Sequence, residues 1–298
     1  MPTISVIINT FNEEKRLGFA LRSVKQWADE MIVVDQHSTD RTIEIAHGLG
    51  ARVISHRGNG KPYPPREFAV EQGSGDWILA LDADEVVPPQ LAHELQRISS
   101  LPDIDAAVVP RLNYWFGSPI MHSSCDPDRD ACVRFFKRGR IIASSEAHKD
   151  FSIPAGARAF RIPYTPGNAL VHFTYVNTEA VLTRTNRYST LEAQQLYRDG
   201  ADATLMRTTY SAGKEFLWRY FKCQGYRDGW RGLYISFAGA LYRICIDAKL
   251  HELRAVGGSA EIEALYAAEA LKIIGGYEAK ESGSCIGQNL LAARAAEQ

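Results

Sequence analysis

The chain has 298 residues, 34 Lys and Arg against 35 Asp and Glu, and an apolar share of 45%. That is enough for one large domain with an appended helical part and a full core, and the charge balance excludes a whole-molecule binder of polyanions. Five cysteines (Cys125, Cys132, Cys223, Cys245 and Cys285), without a CxxC pair, exclude a disulfide framework and a zinc knuckle and suit a reducing cytoplasm.

The opening residues run directly into "TISVIINT", with no basic region, long apolar core or small-residue cleavage site. No secretory signal is expected. "ISVIIN" (Ile4 to Asn9) is a β-branched strand, and Leu17, Leu21 and Val24 mark a helical face. "MIVVD" (Met31 to Asp35) reads as a second strand ending in an acid, followed by a turn and a helix around Ile43 to Ala46. Ser38, Thr39 and Asp40 start that helix and are assigned no chemistry. "ARVIS" is a short third strand, and a helical segment from Arg66 to Gln72 precedes a fourth, "WILALD". This alternation predicts a parallel sheet with helices on both faces.

From Ala106 to His172 the pattern becomes irregular and strand-rich: "AAVVPRLNYWF", "ACVRFFKR" and "ALVHFTY", separated by proline and glycine. From Thr178 to about Ile274 it is mostly helical, and the end, rich in Gly, Ala and Glu, reads as a loosely ordered tail. The longest apolar stretch, "GLYISFAGALY", is too short to span a bilayer. There is no internal repeat. No GxGxxG follows the first strand, which disfavours a dinucleotide-dependent oxidoreductase.

The segment "WILALDADEVVPP" (Trp77 to Pro89) carries the chemistry. Its apolar strand ends in Asp82, Ala83, Asp84 and Glu85, and carboxylates at a buried strand end are costly without a positive partner. In open α/β sheets ligands bind beyond the carboxyl ends of the strands. Residues i and i+2 of an extended segment point the same way, so Asp82 and Asp84 can address one object. A divalent cation fits, because Mg2+ is held by one or two carboxylates together with substrate phosphates. The structural alternative is that the acids cap the helix begun by Pro88 and Pro89. "DADEVV" also matches the Asp-x-Asp-x-Val pattern of haloacid-dehalogenase-type phosphatases, in which Asp82 would be the nucleophile. In those proteins, however, the motif follows the opening strand, not the fourth.

In order and spacing, "SVIINTFNEE", "IVVDQHSTDRT" and "GDWILALDADE" resemble the family 2 glycosyltransferases over the first third of the chain. Downstream, "RLNYWFG", "RFFKRGR", "LVHFTY", "RTNRYSTLEA" and "GYRDGWRGLYISFAGALYRICIDAKLHE" are similar to the bacterial lipopolysaccharide-core β-glucosyltransferase-like group, as far as Glu252. The resemblance implies an α/β GT-A fold, a Rossmann-like mixed but mainly parallel sheet flanked by helices, with a C-terminal helical extension. It implies a glycosyltransferase domain over 1–176, divided into a nucleotide-binding half (1–100) and an acceptor and catalytic half (101–176). A helical acceptor or membrane-proximal region (177–274) and the tail (275–298) follow.

The resemblance also implies roles. Thr10, Asn12, Glu13 and Asp35 embrace the base and ribose, and a carboxylate that accepts the uracil imide N–H favours UDP. Thr10 and Glu13 equally read as a capping box. Arg66 contacts the diphosphate or is an exposed structural arginine. Asp82 and Ala83 contact the nucleotide sugar, with Asp82 reaching the ribose or the metal and Asp84 the metal, Mg2+ or Mn2+. His172 is a further metal ligand or a hydrogen-bonded core residue. An inverting transfer needs a base for the acceptor hydroxyl. Related sequences carry a His-Glu pair where this chain has "SSEAHKDF"; His148 matches, but Lys149 replaces the acid. Asp150 or Glu146 is therefore expected as base, with Asp128 a third option and solvated loop acids the alternative for all three.

From Arg184 to Arg254 there are twelve Lys and Arg against seven Asp and Glu, with aromatics interleaved. Packing of a helical subdomain explains most of the aromatics, contact with an anionic membrane surface comes second, and nucleic acid is a distant third. The expected protein is a metal-dependent, inverting hexosyltransferase. It uses UDP-glucose or another UDP-hexose and a saccharide acceptor on a lipid-linked or surface-glycan precursor. It is cytoplasmic, peripheral on the inner face of the cell membrane, and has no nucleic-acid partner. A catalytically silent nucleotide-sugar binder is the non-enzyme alternative.

Overall fold

Short apolar runs become fully buried strands when helices cover both faces of a parallel sheet. The computed structural model, which describes residues 1–56, 66–143, 151–202 and 204–275, forms its first half in this way. The order is β1 (Ile4–Thr10), α1 (Leu17–Val24), β2 (Glu30–Asp35), α2 (Thr42–Gly48), β3 (Arg52–Ser55), α3 (Arg66–Glu71) and β4 (Trp77–Asp82). Alternate strand residues divide between two cores. Val6, Ile8, Val33, Leu79 and Leu81 face Leu17, Leu21 and Val24 of α1, whereas Ile7, Ile32, Val34 and Ile78 face Ala69 of α3. Each such side chain contributes roughly 1.5–3 kcal/mol by leaving water.

After β4 come β5 (Glu85–Val86) and α4 (Pro89–Ser99). Pro88 is the N-cap of α4, with no side-chain cap bond and no acid in the first turn. The acidic cluster therefore does not cap this helix. The strand-rich middle supplies β6 (Ala106–Val109), β7 (Arg111–Trp115), β8 (Ser118–Pro119), β9 (Cys132–Lys137), β10 (Ile142–Ala143), β11 (Phe151–Ser152), β12 (Ala159–Arg161) and β13 (Leu170–Tyr175).

The main sheet has seven strands in the order β12-β6-β9-β4-β1-β2-β3. β9 enters antiparallel between β4 and β6, and the other ladders are parallel. Trp77 and Phe135 stack across the β4–β9 ladder with centroids 4.6 Å apart. A second sheet, β5-β13-β7-β8, places His172 of β13 between Glu85 of β5 and Asn113 of β7.

The C-terminal part is helical: α5 (Thr178–Arg198), α6 (Leu205–Leu217), a π turn (Trp218–Lys222), a 3-10 turn (Gly225–Asp228) and α7 (Gly229–Val256), then a helix over 259–275. Asn177 and Thr204 cap α5 and α6 by accepting the amides of Ala180 and Arg207. α7 packs against both helices. Gly232 permits its close pass over the 3-10 turn, since a Cβ there would lie 1.7 Å from the Gly225 carbonyl oxygen. The helices are fastened to the second sheet by Trp115, Ile120, Val181 and Ile235. Asp228 adds to this by accepting the amides of Met121 and His122.

Candidate active site

Parallel pairing sets Thr10 opposite Asp35 and Asn9 opposite Asp82, so the carboxyl ends of β1, β2 and β4 share one edge. Asp82 closes β4 and meets Arg134 of β9. Nη2 of that guanidinium makes a close ion pair with Oδ2, and Nη1 lies 3.5 Å from Oδ1. Arg66, at the start of α3, stands 3.6 Å from the same Oδ1. Burial works to raise the Asp82 pKa, but Arg134, Arg66 and His172 outweigh it and hold the carboxyl well below its usual range.

Glu85 is fully buried beneath the pair. Its Oε2 accepts the Asp82 amide at 3.0 Å, and its Oε1 lies 3.4 Å from Arg134 and 3.7 Å from Arg111. Thus the positive partners of the acidic cluster are arginines of β7, β9 and α3.

Asp84 points elsewhere. Its Oδ2 lies 3.4 Å from His172 Nε2 and 3.9 Å from Arg16. Burial again works to raise this carboxyl's pKa, and His172 overcomes it. His172 is oriented from behind. Asn113 donates its Nδ2 to Asp130 Oδ2 at 2.6 Å, and its Oδ1 stands 2.7 Å from His172 Nδ1. An ionised carboxylate only accepts, so the Asn113 amide orientation follows, and His172 Nδ1 must be the donor to Oδ1. In the neutral imidazole, Nε2 then offers a lone pair toward a carboxylate oxygen. With a proton on Nε2 as well, the imidazolium lowers the pKa of the Asp84 carboxyl; either that proton or a divalent ion would lie between the two atoms. Arg111 completes the support by donating to Asp130 at 2.9 Å.

The residues after β1 and β2 form one polar loop pair. Asp35 has no solvent-exposed surface, and its oxygens accept from Ser38 N at 2.9 Å and Ser38 Oγ at 2.5 Å. Ser38 Oγ also accepts the Asn12 amide, and Asn12 Oδ1 accepts the Thr39 amide, both at 2.8 Å. Asn12 adopts φ 54°, a left-handed conformation that asparagine tolerates. Ser38 and Thr39, expected only to begin a helix, therefore tie the two loops together. The Thr10–Glu13 capping box does not form: α1 has no side-chain cap, and the Glu13 amide donates to Thr42. The buried Thr10 Oγ1 and Asn9 Oδ1 have no hydrogen-bond partner among the described residues. Burial pushes the Glu13 carboxyl up, with Arg16 opposing at 3.7 Å.

Other expected residues separate from this cluster. Ala83 is buried in the main core. Asp128 is exposed, and its Oδ1 accepts the Tyr164 amide at 2.9 Å. Glu146 and Asp150, with His148 and Lys149, lie outside the described residues. Arg134, Asn113, Asp130, Arg111 and Arg184 were not expected at the site, and Glu85 was expected only as a member of the acidic cluster. Two signals were present: a lone arginine inside the apolar strand "CVRFFK", and Arg111 and Asn113 two apart on one strand face. Arg184 of α5 lies over the rings of Tyr175 and Tyr188, at 5.6 and 5.3 Å. Burial works to lower its pKa, but Tyr175, Tyr188, Asp84 and Asp82 raise it. A cleft lined by Pro2, Trp77, Lys137 and Arg138 lies at the opposite end of the strands.

Among the described residues no three His, Cys, Asp or Glu side chains converge as a metal site. The expected triad of Asp82, Asp84 and His172 is not assembled, because Asp82 is turned to its arginines. Asp84 and His172 nevertheless fit as a pair of ligands, one carboxylate and one oriented imidazole, for an ion completed by phosphate oxygens and water.

Residues 5–161, more than half of the chain, match the family model described as Glycosyl transferase family 2. An uncharacterised glycosyltransferase of Rickettsia felis is 30% identical over 269 residues, 85% of this chain and 90% of the relative. The chain belongs to glycosyl transferase family 2. It is a glycosyltransferase of the GT-A fold, with a mainly parallel seven-stranded sheet and a helical C-terminal region, and the phosphatase reading of Asp82 is set aside. The lipopolysaccharide core biosynthesis glycosyltransferase LpsC of Rhizobium meliloti is 27% identical over 265 residues, 85% of this chain and 93% of that relative. A solved structure of glucosyl-3-phosphoglycerate synthase from Mycobacterium tuberculosis, in complex with Mn2+, UDP and glucosyl-3-phosphoglycerate, is also similar. It is 28% identical, covers 38% of this chain and 44% of that one, and superposes with a TM-score of 0.32. No helix among the described residues is long and apolar enough to cross a membrane.

Proposed function

We propose that this family 2 enzyme transfers a hexose with inversion from a UDP-sugar, UDP-glucose or a similar UDP-hexose, to a saccharide on a lipid-linked or surface-glycan precursor. The observation that carries the reading is the pair formed by Asp84 Oδ2 and His172 Nε2, 3.4 Å apart at the carboxyl edge of the sheet. Asp84 and His172 would hold Mg2+ or Mn2+, which when bound neutralises charge on the departing diphosphate. Arg66 and Arg184 flank the same acids and are suited to the diphosphate oxygens as fixed cations. The loop pair joined by Asn12, Asp35 and Ser38 is suited to the nucleoside, with Thr10 and Glu13 beside it.

The base takes the acceptor hydroxyl's proton as that oxygen attacks the anomeric carbon opposite the phosphate. Asp128 spends an oxygen on the Tyr164 amide, so we assign the base to Asp150 or Glu146. An LpsC-like core saccharide fits the acceptor class, and such an acceptor places the enzyme at the cytoplasmic membrane surface. A panel of nucleotide sugars, assayed for UDP or GDP release with and without Mn2+, tests carrier, metal and activity together. UDP release that depends on metal is expected. Metal-independent release, or release of GDP alone, overturns the reading.

A further inference from the structure

We propose that the face built by α6, the π turn and α7 docks on an anionic lipid bilayer, inserting two neighbouring rows of apolar side chains among the head groups. This deepens the membrane placement above and rests on that reading only for the lipid-linked acceptor.

The first row is on α7. Trp230, Leu233, Phe237, Leu241 and Ile244 follow one another at intervals of three, four, four and three, which is one helix face. Each is exposed, by 38% to 58%. The buried side of the same helix carries Gly232, Ile235, Ser236, Ile246, Asp247 and Leu250. α7 thus carries apolar side chains on two sides, and among the described residues only one of them is covered. The second row is on α6 and the π turn: Met206, Tyr210, Leu217 and Phe221, exposed by 55% to 82%. The rows adjoin, since Phe216 packs on Phe237 with ring centroids 4.7 Å apart.

Charge selects the occupant. Residues 205–244 hold seven Lys and Arg against two Asp and Glu, in a chain of net charge −1; Arg219 and Arg243 pair with Glu215 and Glu192, whereas Lys214, Lys222 and Arg227 are exposed. Lys214 lies beside the Tyr210 ring and Arg231 over the Trp230 ring, an aromatic and basic mixture suited to head-group depth. A second copy of this face would bring the same cations together across a two-fold axis, whereas anionic head groups neutralise them.

The face also borders the active site. Trp230 stacks on Phe116 at 5.4 Å, Phe116 meets Trp115 at 6.0 Å, and Trp115 meets Tyr175 at 4.4 Å, beneath Arg184. Docking would therefore hold the side of the sheet that carries Asp84 and His172 toward the lipid surface, where a membrane-anchored saccharide is presented.

Vesicle co-sedimentation of the full chain tests this. Vesicles of phosphatidylcholine with phosphatidylglycerol should bind the protein, pure phosphatidylcholine should not, and added salt should weaken binding. The double variant Phe237→Ser with Leu241→Ser should lose about ten-fold or more in binding, and Lys214→Gln and Lys222→Gln about five-fold each. All of these side chains are exposed, so thermal melts and UDP release from the donor should stay as in the parent. Undiminished binding by the double variant, or no binding to anionic vesicles at low salt, overturns the proposal. So does a dimer that the double variant splits, seen by light scattering, without vesicle binding. Variant-sensitive vesicle binding by a protein that releases no nucleotide from any donor would uphold the surface and remove the UDP-sugar reading.

Discussion

Arg134 and Asp82 form an ion pair across the β4–β9 ladder, with the guanidinium 1% and the carboxylate 28% exposed. The pair joins two antiparallel strands, β9 lying between β4 and β6. Arg134 also faces Glu85, which is fully buried. Taking away the cation would leave the buried Glu85 with Arg111, at 3.7 Å, and Asp82 with Arg66, at 3.6 Å. Arg134→Met is expected to cost about 3–5 kcal/mol, read as a lower urea midpoint. Asp82→Asn, which leaves Arg134 with Glu85, should cost less. Equal stability of Arg134→Met and the parent would contradict the pairing.

The pH dependence follows from the same charges. The pKa values of Asp82 and Asp84 are both depressed in the folded protein, because arginine and His172 outweigh burial. A depressed carboxyl adds stability that is fully present above its unfolded pKa, about 3.9, and is lost as pH falls through the folded value. The stability gap between the parent and Asp82→Asn should therefore be widest above about pH 4 and narrow below it. A gap that widens on acidification would reverse the assignment.

Asn113 acts on the proposed metal through His172. It holds Nδ1 at 2.7 Å and is itself held by Asp130. Asn113→Ala should free the imidazole to rotate and exchange tautomers, weakening Mn2+ uptake in the presence of UDP by about 10–100-fold. Titration calorimetry measures this directly, without turnover. Unchanged Mn2+ affinity would show that Asn113 does not set the imidazole, which Thr174 Oγ1 also meets at 3.1 Å; unchanged affinity in His172→Ala would show that His172 is not a ligand.

The base assignment makes a kinetic prediction. Alanine at Asp150 or at Glu146 should lower turnover by about a hundred- to ten-thousand-fold at one of the two positions, with donor affinity retained. Asp128→Ala should instead loosen the turn at Tyr164 and leave turnover near that of the parent. Full activity in both of the first two variants would reject the assignment.

Spacing along the chain was sufficient for the parallel half of the sheet and for the acids at its edge. Buried parallel strands leave continuous β-branched runs, and the intervening helices leave three- and four-residue apolar steps; both are local patterns. The family was legible for the same reason, since "SVIINTFNEE", "IVVDQHSTDRT" and "GDWILALDADE" are strand ends and loops that stay contiguous in sequence. What spacing did not contain was the partner of each charge. Arg134 stands 52 residues from Asp82, and Asn113 stands 59 from His172. Those meetings depend on β9 turning antiparallel and on β13 pairing with β7, neither of which leaves a periodic trace. The sheet order therefore turned Asp82 toward arginine and left Asp84 with His172, where a shared face on one strand tip had suggested a common ligand. The two apolar faces of α7 were likewise visible as composition, but which of them the protein covers depends on where α5 and α6 come to rest.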